Sequence, residues 1–425
     1  MSGIDFNGDP MPRHRSQAMV LTGAGAYAAY EVGVMKALLS GMSPATNFEP
    51  LHPDAFVGSS VGAMNAAVML SNAELGLTSA VQNLESIWLD QIAQGRNADG
   101  SPRCGNGVYR IRGLPFETLS RTCLQNQPVK AFTDFFRDSL AVMESSISMI
   151  GRAVQARGSV LGRLLGQFDI SSLVTSEPFQ ESLKSIVSID KIARSSIALR
   201  VFAMNFSTGK TRLFDNSDFR RLGYQPLLAS TALPAFFPPH IVDGDPYIDG
   251  STLMNTPLLP AVREFDSLYL VYMDPDIRNI SLQRLQNLVD VLDRVQVVTF
   301  AYNMERDIRE ARMINRALSV VAAGPVEGQL SAEDLHAFLS TASQLYRRIQ
   351  EGKPYGQRVI HRFHPQDDLG GSLGLMNIDV GKIQRLIDRG YEDAATHDCT
   401  ESGCVIPDGY ETNAQSKTPF HLQAV

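Results

Sequence analysis

The sequence has little of what would place it in several large classes. It holds only four cysteines, Cys104, Cys123, Cys399 and Cys404, in 425 residues. So few thiols exclude a disulfide framework, and their spacing matches no familiar zinc motif. Cys399 and Cys404 could pair under oxidation, but free thiols in a cytosol are the expectation. No run approaches about eighteen consecutive apolar residues, so no membrane-spanning helix is expected. Positive charge is not in excess: 38 Lys and Arg face 45 Asp and Glu, a net charge of −7, which gives no general affinity for nucleic acid. Met1 to Pro10 has neither the pattern of a signal peptide nor the Met-Gly start of a myristoylation site. A cytoplasmic location is therefore expected. No internal repeat and no carboxylate cluster spaced as a calcium loop occurs.

What remains is ordinary globular composition, 44% hydrophobic and 20% charged. The length allows one large domain or two smaller ones. The most informative stretch is Phe56-Val-Gly-Ser-Ser-Val-Gly62, a G-x-S-x-G pattern centred on Ser60. Asp54 to Gly58 reads as a short buried strand, and Val61 to Leu70 as a helix rich in small residues. Gly58 and Gly62 permit a sharp turn and a close helix. The serine would then stand at a helix N-terminus, where negative charge is favoured. A plain Gly/Ser turn without chemistry reads the same way locally.

A second glycine-rich turn lies upstream. Ala18 to Thr22 is a short apolar strand. It runs into Gly23, Ala24, Gly25, Ala26, Tyr27 and Ala28, and then into a helix over Ala29 to Leu39. Such a turn exposes consecutive backbone N–H groups that suit a phosphate or an oxyanion. Its G-x-G-x-x-A spacing is also a permitted dinucleotide fingerprint. Against that, no strand ending in an acid follows at the required distance, and the serine turn follows instead. The third element is Tyr247-Ile-Asp249-Gly250-Ser251, a strand ending in Asp-Gly. Asp249 beside Ser60 would serve as a general base, whereas Asp-Gly alone is an ordinary turn.

These three elements, in this order, resemble the patatin-like phospholipase family. The resemblance runs from about residue 18 to about residue 397. It implies a three-layer α/β/α fold with a central, mostly parallel sheet and helical insertions. It also implies a Ser–Asp dyad of Ser60 and Asp249, and an oxyanion turn of Gly23, Ala24, Gly25 and Ala26. Gly58 and Gly62 would form the elbow, and Gly250 the Asp-Gly motif. The implied activity is hydrolysis of carboxylic esters of phospholipids or other glycerolipids through an acyl-enzyme, with no metal or cofactor. Ile378 to Ala394 looks like the family's closing helix. Two departures stand out. The family loop usually reads G-G-G-x-[KR]-G, and this chain has Ala24, Tyr27 and Ala28 at the variable points. Alanine would distort the turn if position 24 or 28 needs positive φ. The third motif ends in Ser251 rather than Gly or Ala.

Two rivals remain at this stage. A Ser–Asp–His hydrolase shares G-x-S-x-G and needs a histidine after the acid; His336, His361, His364 and His397 qualify by order. A non-catalytic lipid-binding protein would keep the fold and lose the chemistry.

The expected organisation is a polar segment over 1–17, the acyl hydrolase domain over 18–397 and a polar tail over 398–425. Within the domain, 132–168 mixes apolar residues with Arg152, Arg157 and Arg163. That suits a cap or a peripheral membrane contact, or equally a packed helical pair with snorkelling arginines. Residues 71–94 read as a helix carrying Trp88 in the core. Arg200 to Phe206 pairs with Thr211 to Phe214, and Leu268 to Met273 and Arg358 to Pro365 read as buried strands. Residues 281–318 read as long helical structure with a charged, solvated face.

Overall fold

The computed structural model describes residues 15–97, 99–101, 177–234, 237–252, 256–273, 288–322, 331–337, 357–367 and 377–407, with short pieces at 110–111, 124–125, 129, 131–137, 139, 174–175, 341 and 369. Cys104, Cys123 and most of 132–168 lie outside the described residues.

The core is a mixed sheet of eight strands. Its members are β1 (Gln17–Leu21), β2 (Ala55–Ser59), β5 (Ala198–Asn205), β6 (Thr211–Phe214), β7 (His240–Val242), β8 (Asp245–Asp249), β9 (Ser267–Val271) and β10 (Val359–Phe363); β3 (Arg110–Ile111) and β4 (Val174–Thr175) form a separate short pair. The order is β10-β9-β1-β2-β5-β8-β7, with β6 also on β5. The pairings from β10 to β5 are parallel, and those of β5, β8, β7 and β6 with one another are antiparallel. The mostly parallel sheet read from the sequence is therefore parallel at its centre, with an antiparallel flank.

Helices cover both faces, which is why β2, β9 and β10 are buried along their whole length. Alternation along β1 divides two cores. Met19 and Leu21 face α1 (Ala29–Leu39), α2 (Ser60–Asn72) and α3 (Leu77–Ser86). Ala18 and Val20 face the helix Leu258–Glu264 and Met304, Ile308 and Ala311 of a long helix, Leu288–Ala322. The last helix, Val380–Ala395, packs on α1, and Tyr30 donates from its hydroxyl to Asp393 at 2.8 Å.

Three expectations change in detail. The single helix read over 71–94 is broken at Gly76, whose φ is +88°; α3 then passes into a π-helical stretch, Ile87–Ala93, that carries Trp88. The charged face of the long helix is not wholly solvated, because Asp307 is buried beside Arg306. Residues 398–407, expected in a polar tail, fold back onto the sheet: Val405 bridges Ile360 of the edge strand β10 and is itself buried.

Candidate active site

The sheet register brings the three motifs together. Leu21 of β1 pairs with Gly58 of β2, so the glycine turn and the serine turn leave adjacent strands at the same level. Ser59 pairs with Phe202 of β5, and the next residue of β5, Ala203, pairs with Asp249 of β8. Ser60 and Asp249 therefore approach each other across one strand, at the carboxyl ends of the parallel strands where open α/β sheets bind ligands.

Ser60 has φ +52°, left-handed backbone that a serine adopts at a cost. Surroundings hold it there. Its N–H donates to Ser230 Oγ at 2.9 Å, and Ser230 Oγ in turn donates to the Phe202 carbonyl at 2.5 Å. A Cβ on Gly58 would lie 2.7 Å from the backbone N of Ala63, and one on Gly62 2.6 Å from the Thr22 carbonyl oxygen. Close approach thus requires a glycine at both positions.

Ser60 Oγ donates to Asp249 Oδ2 at 2.6 Å. The other oxygen, Oδ1, accepts from the Ser251 N–H at 2.9 Å and the Ser251 hydroxyl at 2.8 Å. Ser251, the departure from the usual motif, is thus a second donor to the carboxylate. Asp249 is fully buried, and that burial pushes its carboxyl up to about 6, against the hydrogen bonds from Ser60 and Ser251, which favour the ionised form. Gly250 packs its Cα against β5, where a Cβ would fall 2.7 Å from the Phe202 carbonyl oxygen.

In the glycine turn, the positive φ falls on Gly25 at +52°. Ala24 has φ −150° and Ala28 φ −64°, so neither alanine is strained. Gly23 must stay small, since a Cβ there would lie 2.7 Å from Ser60 Cβ. Lys382 of the last helix places its ammonium 4.3 Å from the Tyr27 ring centre. A cation absent from the loop sequence thus reaches it from the far end of the chain.

Ser60, Gly25 and Ala26 line a cavity of about 200 Å³ whose walls are mainly apolar, including Val61, Met64, Trp88, Ile92, Phe179 and Leu228. His240 also lines it, with Nε2 buried and no hydrogen-bond partner, and burial lowers its pKa below the ordinary histidine value. Behind the glycine turn, Glu31 is fully buried; it accepts from the Thr22 N–H at 2.8 Å and from Asn65 Nδ2 at 2.9 Å. Asn65 Nδ2 also donates to the Ala28 carbonyl, and Asn65 Oδ1 accepts from Trp88 Nε1. Desolvation pushes the Glu31 carboxyl up to about 8.

Sequence reasoning missed Ser230, Glu31, Asn65, His240 and Lys382. Asn65 did leave a trace, as the polar residue within the apolar run Gly62 to Leu70. Of the four late histidines, His336 is exposed, His364 stacks on Tyr272, and His361 and His397 lie beside Cys399. Among the described hydrogen bonds, the partners of the Asp249 carboxylate are Ser60 and Ser251.

The patatin-like phospholipase model matches residues 19–262, more than half of the chain. This chain belongs to the patatin-like phospholipase family. Among solved structures, VipD from Legionella pneumophila is similar over 94% of this chain and 70% of its own, at 14% identity and a TM-score of 0.35. No curated protein matches the sequence. Membership in the patatin-like family carries lipid acyl hydrolase activity at the level of the family, with lipid as the substrate class. No helix among the described residues of this patatin-like chain is long and apolar enough to cross a membrane.

Proposed function

We propose that this chain hydrolyses carboxylic esters of phospholipids or related glycerolipids through a Ser60–Asp249 dyad. The observation that carries the reading is the direct 2.6 Å hydrogen bond from Ser60 Oγ, held at positive φ, to buried Asp249. Asp249 takes the Ser60 proton as Ser60 Oγ attacks the ester carbonyl. With its pKa raised toward neutrality, the carboxylate is a stronger base than a solvated one while remaining mostly ionised at pH 7. The tetrahedral oxyanion forms beside Gly25 and Ala26. The N–H groups of Tyr27 and Ser60 are already engaged by the Ala24 carbonyl and Ser230, which leaves the Gly23–Ala26 turn and Val61 at the head of α2 as the donors. Asp249 returns its proton to the departing alcohol oxygen. Water, deprotonated by Asp249, then attacks the acyl carbonyl, and Asp249 returns that proton to the departing Ser60 Oγ as the fatty acid leaves.

The apolar cavity next to Ser60 suits an acyl chain. The described part of the 132–168 stretch supports a lipid contact. In the helical piece 131–137, Ala131 and Asp134 are buried while Phe132 and Phe136 are 52% and 63% exposed. Two exposed phenylalanines four residues apart on one helix face fit a peripheral contact with a lipid surface. Ester hydrolysis by purified protein tests the dyad. Ser60→Ala and Asp249→Asn should each abolish it with the fold retained, and Ser59→Ala should be far milder. A live Ser60→Ala enzyme overturns the proposal.

A further inference from the structure

At the opposite edge of the sheet from Asp249, four side chains converge that the ester chemistry does not use. They are His361 on β10, His397 just past the last helix, and Cys399 and Cys404 in the turn that follows. One ligand atom from each lies within 4.8 Å of all the others. Cys399 Sγ is 3.4 Å from His361 Nδ1 and 3.5 Å from His397 Nε2, and Cys404 Sγ is 3.4 Å from His397 Nε2. Zinc bonds of about 2.3 Å to sulfur and about 2.0 Å to nitrogen, at tetrahedral angles, set S and N ligands roughly 3.5 Å apart. The three sulfur–nitrogen distances above match edges of that tetrahedron.

We propose that His361, His397, Cys399 and Cys404 form a structural zinc site. The surroundings are built for it. Ser402 Oγ lies 3.3 Å from His397 Nδ1, so the tautomer with hydrogen on Nδ1 leaves the Nε2 lone pair facing both sulfurs. The backbone N–H of Arg362 donates to Cys404 Sγ at 3.3 Å, the contact a metal-bound thiolate accepts. The turn is preformed: Cys404 N–H donates to the Cys399 carbonyl, Asp398 Oδ1 accepts from the N–H groups of Thr400 and Glu401, and Gly403 takes φ +63°. Both imidazoles are buried, at 1% and 7% exposure, so the ligands are organised before any ion arrives. Binding releases the two thiol protons to solvent, and two thiolates then neutralise the dication. Four protein ligands leave no open position, which makes the role structural: the ion would clamp the 397–404 turn to the edge strand β10.

The test uses the full chain, expressed with zinc and purified under reducing conditions. Metal analysis should find one zinc per chain, and replacement by Co²⁺ should give the visible bands of tetrahedral cobalt with thiolate-to-cobalt charge transfer. Cys399→Ser and Cys404→Ser should each fall to background zinc. In wild type, both thiols should resist alkylation until a chelator is added, a reading that needs no folded variant. Three results overturn the proposal: wild-type chain with neither zinc nor a tetrahedral cobalt spectrum, a Cys399–Cys404 disulfide in the peptide map, or full zinc retention in the double serine variant.

Discussion

Two polar clusters sit toward opposite ends of one sheet, and they differ in how they treat their polar groups. Around Ser60 and Asp249, one hydroxyl is held in strained backbone, one carboxylate is desolvated, and both meet an apolar cavity that includes Trp88 and Phe179. Around Cys399 and Cys404, the positive φ of the turn falls on a glycine and four ligand atoms lie within 4.8 Å of one another. The first arrangement is costly to keep and open on one side, as a reacting site must be. The second is closed on itself, as a clamp is.

The sharpest way to break this contrast is at the first cluster. Ser60→Ala or Asp249→Asn should lower kcat/KM for a lipid ester by about 10⁴-fold or more. Replacing His336, His361, His364 or His397 singly should leave most of the activity, and Cys399→Ser should change it by about twofold at most because the site is remote. Gly23→Ala forces a Cβ against that of Ser60 and disturbs the proposed oxyanion turn, with an expected loss of about 10²–10³-fold in kcat.

The next effect is one of pH. In the proposed dyad Asp249 acts ionised, so kcat/KM should rise with pH up to about 6 and flatten above it. Stability runs the other way. The Asp249 pKa is raised in the fold above its ordinary 3.8, so its contribution is full below that value and is lost as pH rises through about 6. Asp249→Asn carries no charge to bury. Its melting temperature relative to wild type should therefore improve between pH 4 and pH 7, which thermal scans at both ends would read. The smallest effect belongs to Lys382→Ala, which removes the cation from the Tyr27 ring and should cost about 0.5–1 kcal/mol by denaturant unfolding.

The two clusters also differ in how far the sequence discloses them. Ser60 lies in a contiguous motif because an elbow is a local object: strand, glycine, serine and glycine must be adjacent in the chain. Asp249 was legible as the end of a buried strand. Its partnership with Ser60 at a separation of 189 residues came from family resemblance, not from any local signal. The Cys/His cluster was missed because three of its ligands, His397, Cys399 and Cys404, are close in the chain but at no familiar zinc spacing, and the fourth is distant. His361 sits 38 residues before Cys399, and pairing of Val405 with the edge strand, together with the Arg362 contacts, brings the turn alongside. A polar, cysteine-bearing end reads as a tail until that pairing is seen. Glu31 was hidden for a related reason. An acid in the first turn of a helix is ordinary for the helix dipole, and nothing local says that Asn65 and Thr22 will enclose it. The strands β1, β2, β9 and β10 of the parallel part were legible because burial on two faces demands continuous apolar runs, whereas the short, half-exposed β7 on the antiparallel flank carries no such run and was not read.

The most direct test of the dyad is labelling with a fluorophosphonate probe, mapped by mass spectrometry in wild type, Ser60→Ala, Asp249→Asn and the single histidine variants. The account expects one adduct, on Ser60, lost in the alanine variant, strongly slowed in Asp249→Asn and retained in every histidine variant. An adduct on another serine, or labelling of Ser60 that survives Asp249→Asn and disappears with one histidine, would contradict it.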